Sequence, residues 1–318
     1  MTSGDLREPW CVDSPTVALI GECMVEIRPV SPELAEVSYG GDVLNTAVYL
    51  KRSATERSID VRFVTVVGDD ALSDDLVAAW EKEGIDTSYV KRRPSGKPGL
   101  YIVHTDEAGE RSFTYYRSDS AARELFREEA QGFADVDLIF LSGITLSILD
   151  SGSFELLLAA LEKEHARGAL VAFDTNYRPA AWQDATVARE RISRTLAHTD
   201  IALPTFSDEA LLFGDPDPGA TVRRLRSSGV SEVVVKLSAE GCLVSVDDSP
   251  PTRVPGLHIA SVIDTTGAGD AFNGAYLAAR LGGQDPAAAA ERGNLWGAHV
   301  VQFRGAIAPF DERPAVFA

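Results

Sequence analysis

Residues 264–281 read DTTGAGDAFNGAYLAARL, and the order of residue types in them governs how the rest of the chain is read. A strand-like stretch, Ser261-Val262-Ile263, leads into Asp264. Thr265, Thr266, Gly267, Ala268 and Gly269 follow, and Asp270 opens an apolar helix. Small residues at a helix start let backbone N–H groups converge on an anion, with the positive end of the helix dipole behind them. A carboxylate is out of place there if a phosphate is merely bound. It makes sense if Asp270 takes a proton from a hydroxyl that attacks phosphorus. Taken alone, a GxGD string is more often a plain N-cap.

Outward from this stretch, apolar β-branched runs recur at Thr16–Ile20, Val61–Val67, Leu138–Leu141, Ala169–Phe173, Ile201–Leu203, Glu232–Lys236 and Cys242–Val246. Helical spacing fills most of the gaps: Leu72–Lys82, Ser153–Arg167, Ala185–Ala197, Ala220–Ser227, Asp270–Leu281 and Pro286–Val301. Near-continuous apolar strands alternating with helices indicate an α/β fold of three layers around a mostly parallel sheet. Residues 22–40 and 97–117 break the rhythm with half-polar extended runs, which predict a small antiparallel flap. Residues 1–15 are expected to form a flexible N-terminal extension, residues 16–310 one domain carrying the flap, and residues 311–318 a tail. Exposed flap edges would suit a partner subunit, so a homo-oligomer is expected.

Composition narrows the partners. With 318 residues, 45% hydrophobic and 25% charged, the chain is an ordinary globular one and not a disordered or fibrous one. A formal charge of -18 excludes an electrostatic grip on nucleic acid and disfavours an anionic membrane. Only six lysines occur, so arginine supplies nearly all the positive charge, and a site for an anion must carry its own arginines against a repulsive background. Three cysteines without CxxC spacing give neither a disulfide framework nor a zinc site. No basic-apolar leader and no apolar run of ~18 residues is present, which points to the cytoplasm. The five histidines have no ligand spacing, and no G-x-S-x-G occurs, so hydrolase chemistry lacks support.

The DTTGAGDAFNGA string resembles the C-terminal signature of the ribokinase-like (PfkB) sugar kinases, in which the Asp of GAGD is the catalytic base. No GxxxxGK[ST] occurs, so a P-loop kinase is excluded. The GGDVLNTAVYLKR segment (residues 40–52) is similar to the family's other signature. The resemblance narrows further at Gly21-Glu22-Cys23-Met24, at YYRSDSA (115–121), at DTNYRPAAW (174–182) and at VVQFRGAIAP (300–309). These look like the subgroup that phosphorylates the sugar acid 2-keto-3-deoxygluconate, and the match spans about residues 16–310.

The resemblance implies ATP and Mg2+ as cofactors and a division of the site. Asp270 would be the base and Gly267, Ala268 and Gly269 the anion hole. Gly40, Gly41, Asn45, Tyr101, Tyr115, Arg117 and Arg178 would face the sugar acid, the two arginines on its carboxylate. For Tyr101 and Tyr115, packing within the flap is nearly as good an account. Lys236, Ser238, Glu240 and Gly241 would meet the triphosphate, although a simple hairpin turn explains that segment too. Asn294, Ala298 and Arg304-Gly305-Ala306 would close on adenine. The family's Asn-x-x-Glu, which organises magnesium through water, is here Thr205-Phe206-Ser207-Asp208, so Asp208 is the expected stand-in. The rivals are a fructokinase of the same family and a non-catalytic sugar-binding module.

Overall fold

A computed structural model describes residues 12–105, 111–127, 133–247 and 249–314. The chain opens with strand β1 (Thr16–Ile20), the hairpin β2 (Met24–Ser31) and β3 (Leu34–Gly40), and helix α1 (Asp42–Ser53). Next come β4 (Asp60–Val67), α2 (Ala71–Lys82), β5 (Val90–Arg92), β6 (Gly99–Thr105) and β7 (Arg111–Tyr116). The middle holds β8 (Leu138–Ser142), α3 (Gly143–Ile148), α4 (Ser151–His165), β9 (Leu170–Asp174), α5 (Ala185–Leu196) and β10 (Ile201–Ala202). Helices α6 (Phe206–Phe213) and α7 (Pro218–Ser227) lead to β11 (Glu232–Lys236), β12 (Gly241–Val246) and β13 (Thr252–Pro255). Helices α8 (Ala268–Leu281) and α9 (Pro286–Val300) close the described chain.

Among the described residues the large sheet has the order β13-β12-β11-β10-β9-β8-β1-β4-β5. From β11 to β5 every pairing is parallel, and only the β11-β12-β13 edge runs antiparallel. Strand β1 shows why its sequence has no polar alternation: both of its faces are core. Ala18 and Ile20 join Leu146, Leu157, Ile192 and Leu225 from the α3–α7 side. Val17 and Leu19 join Val43, Leu76, Tyr276 and Ala289 from α1, α2, α8 and α9. Two packed layers on one sheet give the three-layer α/β architecture. No described helix is long and apolar enough to cross a membrane.

The flap is a second sheet of order β3-β2-β6-β7 among the described residues. It is mixed and not purely antiparallel, because β2 and β6 pair in parallel. The reason is topological: the chain leaves the flap after β3, passes through α1, β4, α2 and β5, and re-enters in the original direction. Ser261-Val262-Ile263, expected as strand-like, forms no strand. The Ile263 and Asp264 amides instead donate to the Val301 carbonyl at 2.8 and 3.1 Å, so this segment is fastened to the end of α9. Short elements escaped the periodicity, among them α3, α6, β5 and β13. Residues 1–11 of the expected extension, 106–110 of the flap and 315–318 of the tail lie outside the described residues.

Candidate active site

Close approach of α1 and α8 builds the centre. At Gly274 a Cβ would lie 2.5 Å from the Thr46 carbonyl and 2.6 Å from the Leu50 nitrogen, so only glycine lets the two helices meet. That contact places Asn45, on the second turn's edge of α1, against Asp270 in the first turn of α8. Asn45 Nδ2 donates to Asp270 Oδ2 at 2.8 Å. Gly267 precedes the helix at φ 77°, and a Cβ there would stand 2.5 Å from the Ala306 carbonyl oxygen. The amides of Gly269 and Asp270, in the first turn, have no intrahelical carbonyl to bond. Asp264 secures the loop, accepting from Thr266 N at 3.0 Å and from Gly305 N at 2.5 Å. Burial, and then the negative charge of Asp42, push the Asp270 carboxyl up to about 7, against the opposing hydrogen bond from Asn45.

Two further carboxylates converge on Asp270, each held by an asparagine. Asn176 Nδ2 donates to Asp42 Oδ2 at 2.7 Å. Asn273 Nδ2 donates to Asp174 Oδ2 at 2.7 Å, and Lys236 Nζ reaches the same oxygen at 2.7 Å and Asn273 Oδ1 at 2.9 Å. Asp174 ends β9 and Lys236 ends β11, in keeping with ligand sites at the carboxyl ends of open α/β sheets. Lys236 also stands beside the Gly267–Asp270 turn, 3.6 Å from where a Gly269 Cβ would be. Asp42, Asn176 and Asn273 were not among the expected site residues. Asn273 could have been found, since it lies three positions after Asp270 on the same helix face.

The flap side is organised by two buried glutamates. Tyr101 donates to Glu26 Oε2 at 2.5 Å, and burial raises its phenol far above the ordinary value. Its hydroxyl sits 2.7 Å from where a Gly40 Cβ would be, while a Gly41 Cβ would meet the Glu22 carbonyl at 2.2 Å. Tyr115, half-exposed, packs its ring 5.9 Å from that of Tyr101. Arg117 forms an ion pair with the buried Glu22, which also accepts from Ser120 Oγ at 2.5 Å. Arg117 Nε is buried with no hydrogen-bond partner among the described residues. Arg178 donates from Nη1 to Asp208 Oδ2 at 2.8 Å and to the Tyr177 carbonyl at 2.9 Å. The carboxylate expected to organise magnesium is therefore engaged by an arginine.

On the opposite side, Ser238 follows β11 at φ 55° and Gly241 turns the chain at φ 93°. Both are shaped by the β11–β12 hairpin. Glu240 pairs with Arg253, and Asn294 Nδ2 donates to the Pro255 carbonyl at 3.0 Å, fastening α9 to β13. Ala298 lies on α9, and Gly305 stands at φ 85° in the loop that covers Gly267. Among the described residues no group of three or more His, Cys, Asp or Glu is placed to cage a metal ion. Cavities of about 300 and 610 Å3 open beside the flap, both lined by Ser118, Asp119 and Ser120, and Asp270 lines neither.

Residues 14–313 match the pfkB family carbohydrate kinase family. The chain is 42% identical to a 2-dehydro-3-deoxygluconokinase of Dickeya dadantii, over 94% of this chain and 98% of the relative. It is 40% identical to a 2-dehydro-3-deoxygluconokinase of Escherichia coli K12, over 95% of this chain and all of the relative. Among solved structures, a fructokinase of Vibrio cholerae O395 bound to fructose, ADP and calcium ion superposes with a TM-score of 0.80 at 26% identity. That superposition covers 92% of this chain and 94% of the other.

Proposed function

The chain belongs to the pfkB family of carbohydrate kinases, and on that footing we propose that it is a 2-dehydro-3-deoxygluconokinase. It uses ATP and Mg2+ to phosphorylate the 6-hydroxyl of 2-keto-3-deoxygluconate, forming 2-keto-3-deoxy-6-phosphogluconate. The observation that carries the chemistry is Asp270: a carboxylate at a helix start, raised to about 7 and oriented by Asn45. A base with that proton affinity accepts the hydroxyl proton near neutral pH as the oxygen attacks phosphorus. The first-turn amides of α8 and the ammonium of Lys236 offset charge on the transferring group.

The substrate reading rests on arginine. The unpartnered Nε of Arg117 and the free edge of Arg178 suit a carboxylate, which an acidic protein must hold with local donors. Magnesium neutralises phosphate charge when bound. It keeps several waters and needs only one or two protein carboxylates beside the phosphates. With Asp208 on Arg178 and Asp174 on Lys236, the residues present fit a hydrated ion that arrives with the nucleotide. We place the protein in the cytoplasm as a homo-oligomer, whose partner subunit covers exposed flap side chains such as Val37 and Tyr116.

A coupled kinase assay over a panel of sugars and sugar acids tests the reading. The specificity constant for 2-keto-3-deoxygluconate should exceed that for fructose by ~100-fold or more, the scale two charge-assisted contacts supply. Fructose as the better substrate would replace this reading with a fructokinase. Binding without turnover would replace it with a non-catalytic module.

A further inference from the structure

Helix α6 carries two adjacent carboxylates whose fates differ. Glu209 is fully buried, accepting from Thr175 Oγ1 on one oxygen and from Arg224 Nη2 on the other. This bond to Thr175, three residues before Arg178, sets the rotation of α6 against the loop that follows β9. The Asp208 amide donates to the Thr205 carbonyl at 3.0 Å, and Thr205 forms a parallel bridge to Lys236. Asp208 is thereby fixed to the sheet, with its side chain 13% exposed, facing the 52% exposed side chain of Arg178.

We propose that Asp208 is the positioning residue of Arg178, orienting its guanidinium toward the sugar acid's carboxylate, and not an organiser of magnesium. The proposal rests on the sugar-acid reading above. Among the described residues, Arg178 makes its hydrogen bonds through Nη1 alone, to Asp208 Oδ2 and the Tyr177 carbonyl. Two acceptors on one nitrogen fix the plane of the guanidinium, and its remaining edge offers the parallel N–H pair that a carboxylate takes in bidentate fashion. A long, half-exposed arginine without such an anchor would lose rotamer freedom on binding, which weakens the contact. Asp208 does compete with the ligand for the positive charge. It does so from one side only, and guanidinium groups commonly bridge two carboxylates through different edges.

Titration calorimetry of 2-keto-3-deoxygluconate into the full-length protein, with EDTA and without nucleotide, separates these roles. Asp208→Ala should weaken binding about tenfold, a coupling of ordinary size for neighbours in one network. The isosteric Asp208→Asn, which keeps an acceptor, should fold as wild type and lose less. Arg178→Ala combined with Asp208→Ala should bind no more weakly than Arg178→Ala alone. The Mg2+ concentration giving half-maximal turnover should stay within about twofold of wild type in Asp208→Asn. Unchanged or tighter sugar-acid binding by Asp208→Ala, or losses that simply add, would overturn the positioning role. A magnesium requirement raised about tenfold with sugar-acid binding unmoved would return Asp208 to the metal. Wild-type protein that binds fructose but not the sugar acid would overturn the substrate reading and this proposal together. Normal wild-type binding with an unmoved variant would overturn the role of Asp208 alone.

Discussion

Asn45 and Asp270 lie 225 positions apart, yet the amide of one donates to the carboxylate of the other at 2.8 Å. That bond holds one oxygen and leaves the second for the hydroxyl of the proposed substrate. Asp270→Asn should lower kcat by at least ~100-fold while KM for both substrates moves only a few-fold, the pattern of a lost general base. Asn45→Ala should lower kcat by about tenfold through misorientation. Steady-state kinetics decides the matter: near-normal turnover in Asp270→Asn ends the base assignment.

With Asp270 as the proposed base, its proton affinity should set the acid limb of activity. Burial and the charge of Asp42, then that of Asp174, raise it to about 7, while Asn45 and Lys236 act the other way. The base works only when ionised, so kcat/KM should fall about tenfold per pH unit below that value. Asp42→Asn removes a negative neighbour and should move the limb to lower pH. Stability runs oppositely. The folded pKa exceeds its ordinary value of 3.8, so protonation favours the folded state, and this contribution grows as pH falls from about 7 toward 4. A pH–rate profile flat from about pH 5 to 8 would contradict the assignment.

Arg117 carries a structural duty beside the one proposed toward substrate. Its partner Glu22 is buried at 3% exposure. Arg117→Ala leaves that carboxylate uncompensated and should cost about 3 kcal/mol in denaturant unfolding. Adding Glu22→Gln should recover much of the stability without restoring sugar-acid affinity. If both recover together, the arginine acts only through the fold.

Gly267 faces a double constraint, φ 77° and the Ala306 carbonyl 2.5 Å from any Cβ. Gly267→Ala must displace the loop that Asp264 fastens to Gly305. The expected result is a loss of about 1–2 kcal/mol in stability together with a fall in kcat of tenfold or more. Thermal unfolding and initial rates on the same preparation check both halves.

The sequence discloses the fold well where periodicity is strong. Strand β1 spans the expected Thr16–Ile20, and α2, α5, α8 and α9 start and stop within two residues of expectation. It discloses less where a contact over long sequence separation decides. Val262 and Ile263 have strand chemistry, but the end of α9 takes their hydrogen bonds. The parallel β2–β6 pairing depends on a crossover that no local pattern records. The GAGD turn was legible because its small residues and carboxylate sit together in one string. The pairing of Asn45 with Asp270 and of Asn176 with Asp42 was not, since an asparagine's partner is set by packing such as that at Gly274. Asp208 shows the same limit: its type and place were readable, its engagement with Arg178 was not.

Of the six lysines, Lys236 alone is buried, at 6% exposure between Asp174 and Asn273. Amine-directed reagents attack only the uncharged, accessible amine, so the other five lysines label first. A chain with so few amines thus carries a built-in reporter. Slow modification of Lys236 followed by mass spectrometry would register each opening of the centre, with no substrate, coupling enzyme or engineered probe.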